Sequence, residues 1–458
     1  MSTGRRDRPE PDAAIIAEQR RRMSAPCAAE VTERRIVWRH RRPVDRPRAG
    51  APRIAVERVE RPEGSLLIVP GEILVAAADA EKAGRLLESR YRPARPRGID
   101  LPEDPQEQPR EKRRAAAPSR TRRRRRVTAP GFVRFIGNEP GTALLATVAD
   151  LRRRGVTAGP NLVMAMGIRA KGETTPEAAK RLAPQPPPDT GASAHVVVVD
   201  TGVDAAIGGR GDRLLDRIAV DPANVDPLNT INAGENHRAP GGAPYLDDGA
   251  GHGTFVAGVV RQQAPGARVT MLRALDSDGI CATDVLAAAI TAAGSLGADV
   301  LNLSLGGPSD DGAAPPMLEA AIAALPSQVV VVAAAGNEGD TVKMFPAAIG
   351  GVVSVAGLSW DGQGAKWSTH GDWVAVSTYG EAVVSTFVAG VENPELDPAN
   401  ETFTGTEPLA TWVGTSFAAP RIAGLIAAGM DPGVGARASY GALLATGTDI
   451  RDYGTAIL

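Results

Sequence analysis

The chain has 458 residues, more than one folded domain usually contains, so two folded units with tails are expected. Its net charge of −1 conceals two opposite halves: residues 1–190 carry 40 Lys and Arg against 24 Asp and Glu, and residues 191–458 carry 12 against 29. The halves should attract each other, which favours an N-terminal segment held on the C-terminal part. A nucleic-acid-binding tail is the alternative.

The cysteine content and the hydropathy of the sequence narrow the cellular compartments in which the protein is expected. Only Cys27 and Cys281 are present, which excludes a disulfide framework and suits a reducing environment. The N-terminus has arginines without an apolar core, and no apolar stretch reaches the length of a membrane span. These features predict a cytoplasmic protein without a membrane partner, and export by a non-classical route is the open alternative.

The first 65 residues are rich in Arg, Pro and Glu, and this composition predicts a largely disordered basic segment. Residues 66–168 are more regular. Strands are expected over 72–76, 132–136 and 161–166, and helices over 78–91 and 141–154, with room for another strand near an Arg/Pro-rich loop at 93–130. This order predicts a small α+β sandwich of the split βαβ type.

Five adjacent arginines, Arg122–Arg126, form the most conspicuous low-complexity run. No aromatic residues interleave with them, so nucleic acid is the least favoured partner. We interpret the run as a solvated loop or a contact with the acidic half, and a processing site is a further alternative. Residues 169–190 are rich in Pro and predict an exposed linker, where proteases cut most readily.

Residues 191–458 alternate apolar strands with small-residue helices, which predicts a parallel sheet covered by helices on both faces. Asp200 ends an apolar run, His252 opens a helix, Asn337 follows another apolar run, and Ser416 stands in a small-residue turn before a helix. Open α/β sheets gather their active sites at such positions. These residue types are those of a Ser-His-Asp triad with an oxyanion donor.

Four motifs carry a resemblance to a known family. Asp200-Thr-Gly, His252-Gly-Thr, Gly336-Asn337 and Gly-Thr-Ser416-Phe-Ala-Ala-Pro occur in the order of the subtilisin-like serine peptidases, the subtilases. The resemblance covers about residues 190 to 458. It implies an α/β fold with a three-layer, doubly wound, mostly parallel sheet.

The resemblance also implies roles for single residues. Ser416 would attack the scissile carbonyl, His252 would take its proton, and Asp200 would orient the imidazole. The side-chain amide of Asn337 and the backbone N–H of Ser416 would bind the oxyanion. Ser304, Leu305 and Gly306 resemble the family's substrate-binding strand, and Gly336 resembles the opposite wall of the specificity pocket.

The small domain at 66–168 resembles the family's propeptide by its position and element order, although no sequence motif supports this. An unrelated accessory domain is the alternative. The resemblance therefore implies a serine endopeptidase made as a self-processing zymogen, with protein or peptide substrates and its own N-terminal domain as partners.

No cofactor and no metal ligand is predicted. The oxygen-rich stretches Asp276–Gly279 and Asp247–Asp248 lack full calcium-loop spacing. Because many subtilases bind structural calcium, calcium stays open with no ligands assigned.

A different class of function is the alternative to an enzyme. In it, the chain is a catalytically silent subtilase-fold scaffold, and its basic N-terminal half holds a partner or nucleic acid. No essential catalytic group is missing, which favours the peptidase.

Overall fold

The computed structural model describes residues 13–23, 28–40, 54–102, 124–167, 176–207, 214–215, 218, 221–234, 236–395, 401–405 and 408–458. None of the helices in these ranges combines the length and the apolar character that a bilayer crossing requires.

The helices are α1 Ala13–Met23, α2 Ala28–Arg39, α3 Ala80–Leu87, α4 Gly141–Arg153, α5 Thr230–Gly234, α6 His252–Gln263, α7 Thr283–Ser295, α8 Pro316–Ala323, α9 Thr415–Ala428 and α10 Ala436–Leu444. The strands are β1 Glu57–Val59, β2 Leu66–Ala76, β3 Arg92–Ala94, β4 Gly98–Asp100, β5 Arg126–Thr128, β6 Phe132–Ile136, β7 Ala158–Ala165, β8 Glu177–Ala179, β9 His195–Asp200, β10 Arg268–Arg273, β11 Ile280–Ala282, β12 Val300–Leu303, β13 Val330–Ala334, β14 Val353–Leu358, β15 Val376–Tyr379, β16 Val383–Thr386, β17 Gly390–Val391, β18 Thr402–Phe403, β19 Leu409–Trp412, β20 Thr448–Ile450 and β21 Gly454–Ala456.

The C-terminal part is built on a sheet whose strand order is β10-β9-β12-β13-β14-β15-β21-β20. All neighbours are parallel except β20 and β21 at one edge. Along β9, Val196 and Val198 enter one apolar core with α6 and α9, while Val197 and Val199 enter a second core with α7 and α8. This alternation follows from the two-residue period of a strand. The predicted three-layer α/β fold is therefore confirmed.

The N-terminal part contributes to a second sheet, in the order β11-β7-β2-β6-β3 with β1 paired to β2. Strand β11 comes from the C-terminal part and runs antiparallel to β7. The predicted strand at 132–136 coincides with β6, and α4 ends one residue before the predicted helix end. Strand β7 begins earlier than predicted, at Ala158. One sheet thus joins both halves of the chain.

Strand β2 is longer than the predicted 72–76 because it continues through an irregularity at Pro70-Gly71. Its register against β7 shifts between Ile68 and Ile73. Gly71 has a φ of +70°, and a Cβ placed there would lie 2.2 Å from the carbonyl oxygen of Gly137. A proline and a glycine usually interrupt a strand, which is why sequence reasoning began it too late.

The N-terminal segment differs from the expectation of a largely disordered stretch at 1–65. The structure places two helices, α1 and α2, and strand β1 there. Met23 is 1% exposed and packs in the core that contains α6 and α9. Anchoring partners of both helices, such as Glu381 and Asp248, lie in the C-terminal part, so the segment's own composition did not reveal them.

The expected loop and linker are only partly described. Residues 103–123 and 168–175 lie outside the described residues. Of the arginine run, Arg124 forms an ion pair with Asp221, and Arg126 begins β5, which pairs with β4. Within the linker, β8 pairs with β19 of the C-terminal part. Residues 177–179 are therefore part of a sheet instead of a free linker.

Ion pairs join the basic and acidic halves. Arg97 Nη1 lies 3.3 Å from Asp284 Oδ1, at the start of α7. Arg152 Nη1 lies 2.6 Å from Asp310 Oδ2. The charge difference seen in the sequence is thus realised as specific contacts.

We predict that Gly71→Ala destabilises the protein more than Gly64→Ala does. Both glycines have positive φ, but a Cβ at Gly64 meets nothing within 4 Å, whereas one at Gly71 collides with backbone. The φ strain alone costs about 1–2 kcal/mol, so Gly71→Ala should lower the free energy of unfolding by more than about 2 kcal/mol.

The measurement is urea unfolding in a Ser416→Ala background, which removes any self-cleavage. Equal losses for the two variants would contradict the claim that the close approach of Gly137 constrains this strand.

Candidate active site

The four residues singled out in the C-terminal part stand at one edge of the sheet. Asp200 is the last residue of β9, and Asn337 follows β13 by three residues. His252 is the first residue of α6, and Ser416 is the second residue of α9. Carboxyl ends of parallel strands and the helix starts that follow them meet at the same edge, which explains their convergence.

Asp200 and His252 form a buried pair. His252 Nδ1 lies 2.8 Å from Asp200 Oδ1, and the residues are 2% and 0% exposed, respectively. A carboxylate can only accept a hydrogen bond, so this contact requires the proton on Nδ1 and leaves Nε2 as an acceptor. The backbone N–H of Thr201 also donates to Asp200 Oδ1, at 2.7 Å.

A glycine permits this pair to form. A Cβ at Gly253 would lie 2.2 Å from the carbonyl oxygen of Gly202 and 3.2 Å from Asp200 Oδ1. Helix α6 therefore begins in direct contact with the turn that carries the aspartate. The imidazole is held further by the rings of Trp412 and Phe417, whose centroids lie 5.7 and 5.4 Å away.

Ser416 is tied to the extension of β12. Its Oγ donates to the carbonyl oxygen of Ser304 at 3.3 Å, and Ser304 Oγ donates to the carbonyl oxygen of Ser416 at 2.8 Å. Among the described residues, the Ser416 hydroxyl therefore hydrogen bonds with Ser304 and not with the imidazole of His252. Hydrogen bonds of catalytic groups are often long before substrate binds.

The side chain of Asn337 has a donor, its Nδ2 group, without a partner among the described residues. Its Oδ1 accepts hydrogen bonds from the N–H and the hydroxyl of Thr415, at 2.9 and 3.0 Å, and this fixes the amide orientation. Its Nδ2 is buried and has no hydrogen-bond partner among the described residues. Because buried donors are nearly always paired, this orphan amide next to Ser416 indicates a place for an acceptor.

The cleft already contains a strand of the N-terminal part. Ala165 exchanges two hydrogen bonds of 2.9 Å with Gly306, and the N–H of Met166 donates to the carbonyl oxygen of Gly279 at 2.9 Å. The end of β7 thus lies between two segments of the C-terminal part. It occupies the position of an extended peptide added to a sheet edge.

The predicted substrate-binding residues surround this strand. Leu305, Gly306, Gly336 and Ser416 line a cavity of about 610 Å³, while Ser304 contacts Ser416 through its carbonyl. A Cβ at Gly336 would lie 2.6 Å from Glu338 Oε2, so the absence of a side chain makes room for that carboxylate.

Sequence reasoning missed two residues that position the site. Asp226 Oδ2 accepts hydrogen bonds from Thr201 Oγ1, at 3.0 Å, and from the N–H of Gly251, at 2.9 Å. Thr201 follows Asp200 and Gly251 precedes His252, so one carboxylate links the neighbours of both members of the pair. Asp226 lies in an irregular segment, where no periodic pattern marks it. Thr415, which orients Asn337, was visible only as part of the Gly-Thr-Ser motif.

Burial raises the pKa of Asp226 to about 6, against hydrogen bonds from Leu228, Gly251 and Thr201 that favour the charged form. A fully buried carboxylate pays for the loss of hydration, and the backbone donors offset only part of that cost.

The carboxylates considered as calcium ligands face cationic side chains. Arg39 lies 3.6 Å from Asp247, 2.8 Å from Asp248 and 3.2 Å from Asp278, and His40 lies 3.0 Å from Asp278. Guanidinium and imidazole groups hold the places that a calcium ion would need, so these residues do not fit a calcium cage. No group of three or more potential metal ligands is found in the part of the chain that the structure describes.

The C-terminal part of the chain is similar to known proteins. A family model described as Peptidase S8, subtilase family, matches residues 191–433. A thermophilic serine proteinase of Bacillus sp. (strain AK1) is 32% identical over 233 residues, which is 51% of this chain and 51% of that protein. Thermitase of Thermoactinomyces vulgaris is 30% identical over 225 residues, 46% of this chain and 72% of that protein.

A further curated protein and a solved structure match different shares of this chain. An extracellular protease of Xanthomonas campestris pv. campestris is 30% identical over 52% of this chain and 44% of that protein. The chain thus spans about half the length of the first curated relatives it matches. The crystal structure of fervidolysin from Fervidobacterium pennivorans aligns with 85% of this chain and 60% of that chain, at a TM-score of 0.54 and 19% identity. This alignment extends into the N-terminal half, and it concerns the fold alone.

We predict that Asp226→Asn removes a pH dependence of stability. The ordinary pKa of 3.8 applies to the unfolded chain and about 6 to the folded one, so the folded state holds the proton more tightly. Stability should therefore fall as pH rises from about 4 to 6, by about 3 kcal/mol, and stay low above that.

The measurement is urea unfolding of the Ser416→Ala protein at pH 4 to 7, with and without Asp226→Asn. The variant should lose this fall, and Asp449→Asn, at an exposed position in β20, serves as the matched control. Parallel pH curves for wild type and Asp226→Asn would contradict the prediction.

Proposed function

This chain belongs to the subtilase family of peptidases, and from that premise we propose that it is a serine endopeptidase with Ser416 as nucleophile, His252 as base and Asp200 as the group that orients the base. The observation that carries this proposal is the buried Nδ2 group of Asn337, which has no partner among the described residues, while the Oδ1 of the same amide is bound to Thr415, the residue before Ser416. A fold kept only as a scaffold gains nothing from an unpaired buried donor. A site that stabilises an oxyanion needs one.

The proposed reaction is acyl transfer in two steps. Ser416 Oγ attacks the carbonyl carbon while His252 Nε2 takes the hydroxyl proton, and Asp200 stabilises the imidazolium that forms. The carbonyl oxygen becomes an oxyanion that Asn337 Nδ2 and the N–H of Ser416 would bind. His252 then gives its proton to the leaving amine, and an acyl-enzyme remains. Water attacks this ester by the same route in reverse and regenerates Ser416.

We further propose that the N-terminal part acts as a propeptide and that the bond after Gly167 is cut. Ala165 lies opposite Gly306 in an antiparallel pairing. Continuing this register by two residues brings Gly167 opposite Ser304. The carbonyl of Ser304 accepts the hydrogen bond from Ser416 Oγ. Among the residues of this strand, Gly167 therefore has the register position nearest the nucleophile. This bond stands at the N-terminal limit of the linker where cleavage was expected.

Ser416→Ala should abolish conversion of the chain into two fragments. The measurement is intact mass over time for wild type and Ser416→Ala, with Ser295→Ala, at the exposed end of α7, as a control that keeps the nucleophile. Wild type should yield a fragment that ends at Gly167. A Ser416→Ala protein that is cut at the same place and rate would exclude Ser416 as the nucleophile.

Asn337→Ala should lower kcat about 10²- to 10³-fold on a peptide substrate and change KM little, since the amide contacts only the oxyanion. This magnitude is the one known for the corresponding donor in subtilisin, a relative of this chain, and is borrowed from it. Steady-state kinetics of Asn337→Ala beside Asn337→Asp provide the measurement. An unchanged kcat would show that the oxyanion is bound elsewhere.

Labelling by a fluorophosphonate separates this function from a catalytically silent scaffold. Wild type should be labelled at Ser416, whereas a scaffold would bind its partner without reacting.

A further inference from the structure

The N-terminal helices α1 and α2 contact the C-terminal part through side chains of their own, in addition to the contacts that β7 makes. We call residues 13–23 and 28–40 the N-terminal arm. The arm precedes Gly167 in the chain, so a cut there separates it covalently from the surface on which it lies. Its contacts decide whether the two fragments separate.

Helix α1 is anchored by Arg20. Its guanidinium forms hydrogen bonds with both carboxylate oxygens of Glu381, from Nε at 3.1 and 3.2 Å and from Nη2 at 2.9 Å. Glu381 is 0% exposed and also accepts from the N–H of Trp360 and the indole N–H of Trp367. Such a bidentate contact matches the planar guanidinium and is poorly replaced by an ammonium group.

Two neighbours of Arg20 complete this anchor. The side-chain carbonyl of Gln19 accepts from the N–H of Ala382 at 3.2 Å. Met23 lies one turn further along α1 and is buried in the core of the C-terminal part. Met23 follows Arg20 by three residues and Gln19 by four, so its side chain neighbours both of theirs on the helix surface. Helix α1 therefore docks through a charged contact with an apolar contact beside it.

Helix α2 is anchored by Arg39. The side chain is 3% exposed and contacts Asp247, Asp248 and Asp278, which belong to two different loops. Arg35 adds a contact of 2.6 Å to Asp248. Burial and the charge of Asp278 raise the pKa of Asp247.

We propose that the N-terminal arm is a tether that, through Arg20 and Arg39, sets how slowly the N-terminal chain leaves the C-terminal part after the linker is cut. Removing a cation from a buried carboxylate leaves an uncompensated charge, which is strongly unfavourable. Glu381, Asp248 and Asp278 would each face this cost if the arm left. Loss of the arm, by cutting or by displacement, is then the step that releases the N-terminal chain.

The tether rests on the proposed function in one respect, because that function supplies the peptidase activity that cuts the linker. The test therefore uses an added protease in place of the protein's own activity. A recognition site for a sequence-specific protease is inserted between Lys171 and Gly172 of the full-length Ser416→Ala protein, which is then cut by that added protease. Release of the N-terminal chain after dilution is followed by size-exclusion chromatography and by fluorescence anisotropy of a dye on that chain. A failure of the tether is then distinct from a failure of catalysis.

The cut protein should stay together on dilution to nanomolar concentration, and Arg20→Ala with Arg39→Ala should speed dissociation at least 100-fold. Arg21→Ala is the matched control, because Arg21 is 69% exposed in its side chain and pairs with Glu18 of its own helix. It should dissociate like wild type. Arg20→Lys keeps the charge without the bidentate contact and should speed dissociation about 10-fold.

Thermal unfolding of each uncut variant verifies that the variant folds. If the double variant does not fold, the dissociation rate of the milder Arg20→Lys variant tests the proposal in its place. The proposal would be overturned if the double variant dissociated at the wild-type rate. Where the double variant does not fold, the same result for Arg20→Lys would overturn it. Rapid separation of the cut protein with an intact arm would overturn it too.

Discussion

The hydrogen bonding of β7 is the constraint on which the arrangement of the two halves depends. This strand pairs with β2 of its own domain on one side and with β11 of the C-terminal part on the other. Its last residue, Ala165, then pairs with Gly306, which lines the same cavity as Ser416. One continuous strand therefore completes a sheet, fixes the domain interface and fills the cleft, and a shift of its register by one residue would disturb all three.

Buried charge is distributed unequally over this framework. Arginines of the basic half, such as Arg97 and Arg39, meet carboxylates of the acidic half at the interface, where each pair is formed only in the assembled chain. Asp226 is different, because its hydrogen bonds come from backbone and hydroxyl donors and Arg273 acts on it only as a nearby charge. It holds the Asp200 and His252 loops together at a cost in stability. Stability is thus given up inside the site and recovered between the halves.

The sequence predicted the features that depend on local pattern. The apolar run ending at Asp200 and the turn before Ser416 predicted a parallel sheet with polar residues at its edge. The periodicity of the apolar residues predicted β6 and α4. What it could not predict depends on contacts between distant segments. The bulge at Gly71 is explained by the approach of Gly137, the role of Asp226 by two loops that meet in space, and helix α1 by a carboxylate more than 300 residues away.

The position of Ala165 in the cleft also sets the molecularity of the first proposed reaction. Peptide and nucleophile belong to one chain, so their encounter is unimolecular and its rate is independent of protein concentration. Any external polypeptide competes with a local concentration that dilution cannot lower. Under the proposed function, the first bond that Ser416 meets is therefore one of its own chain, however scarce the protein is, and foreign chains would gain access only after β7 has left the cleft.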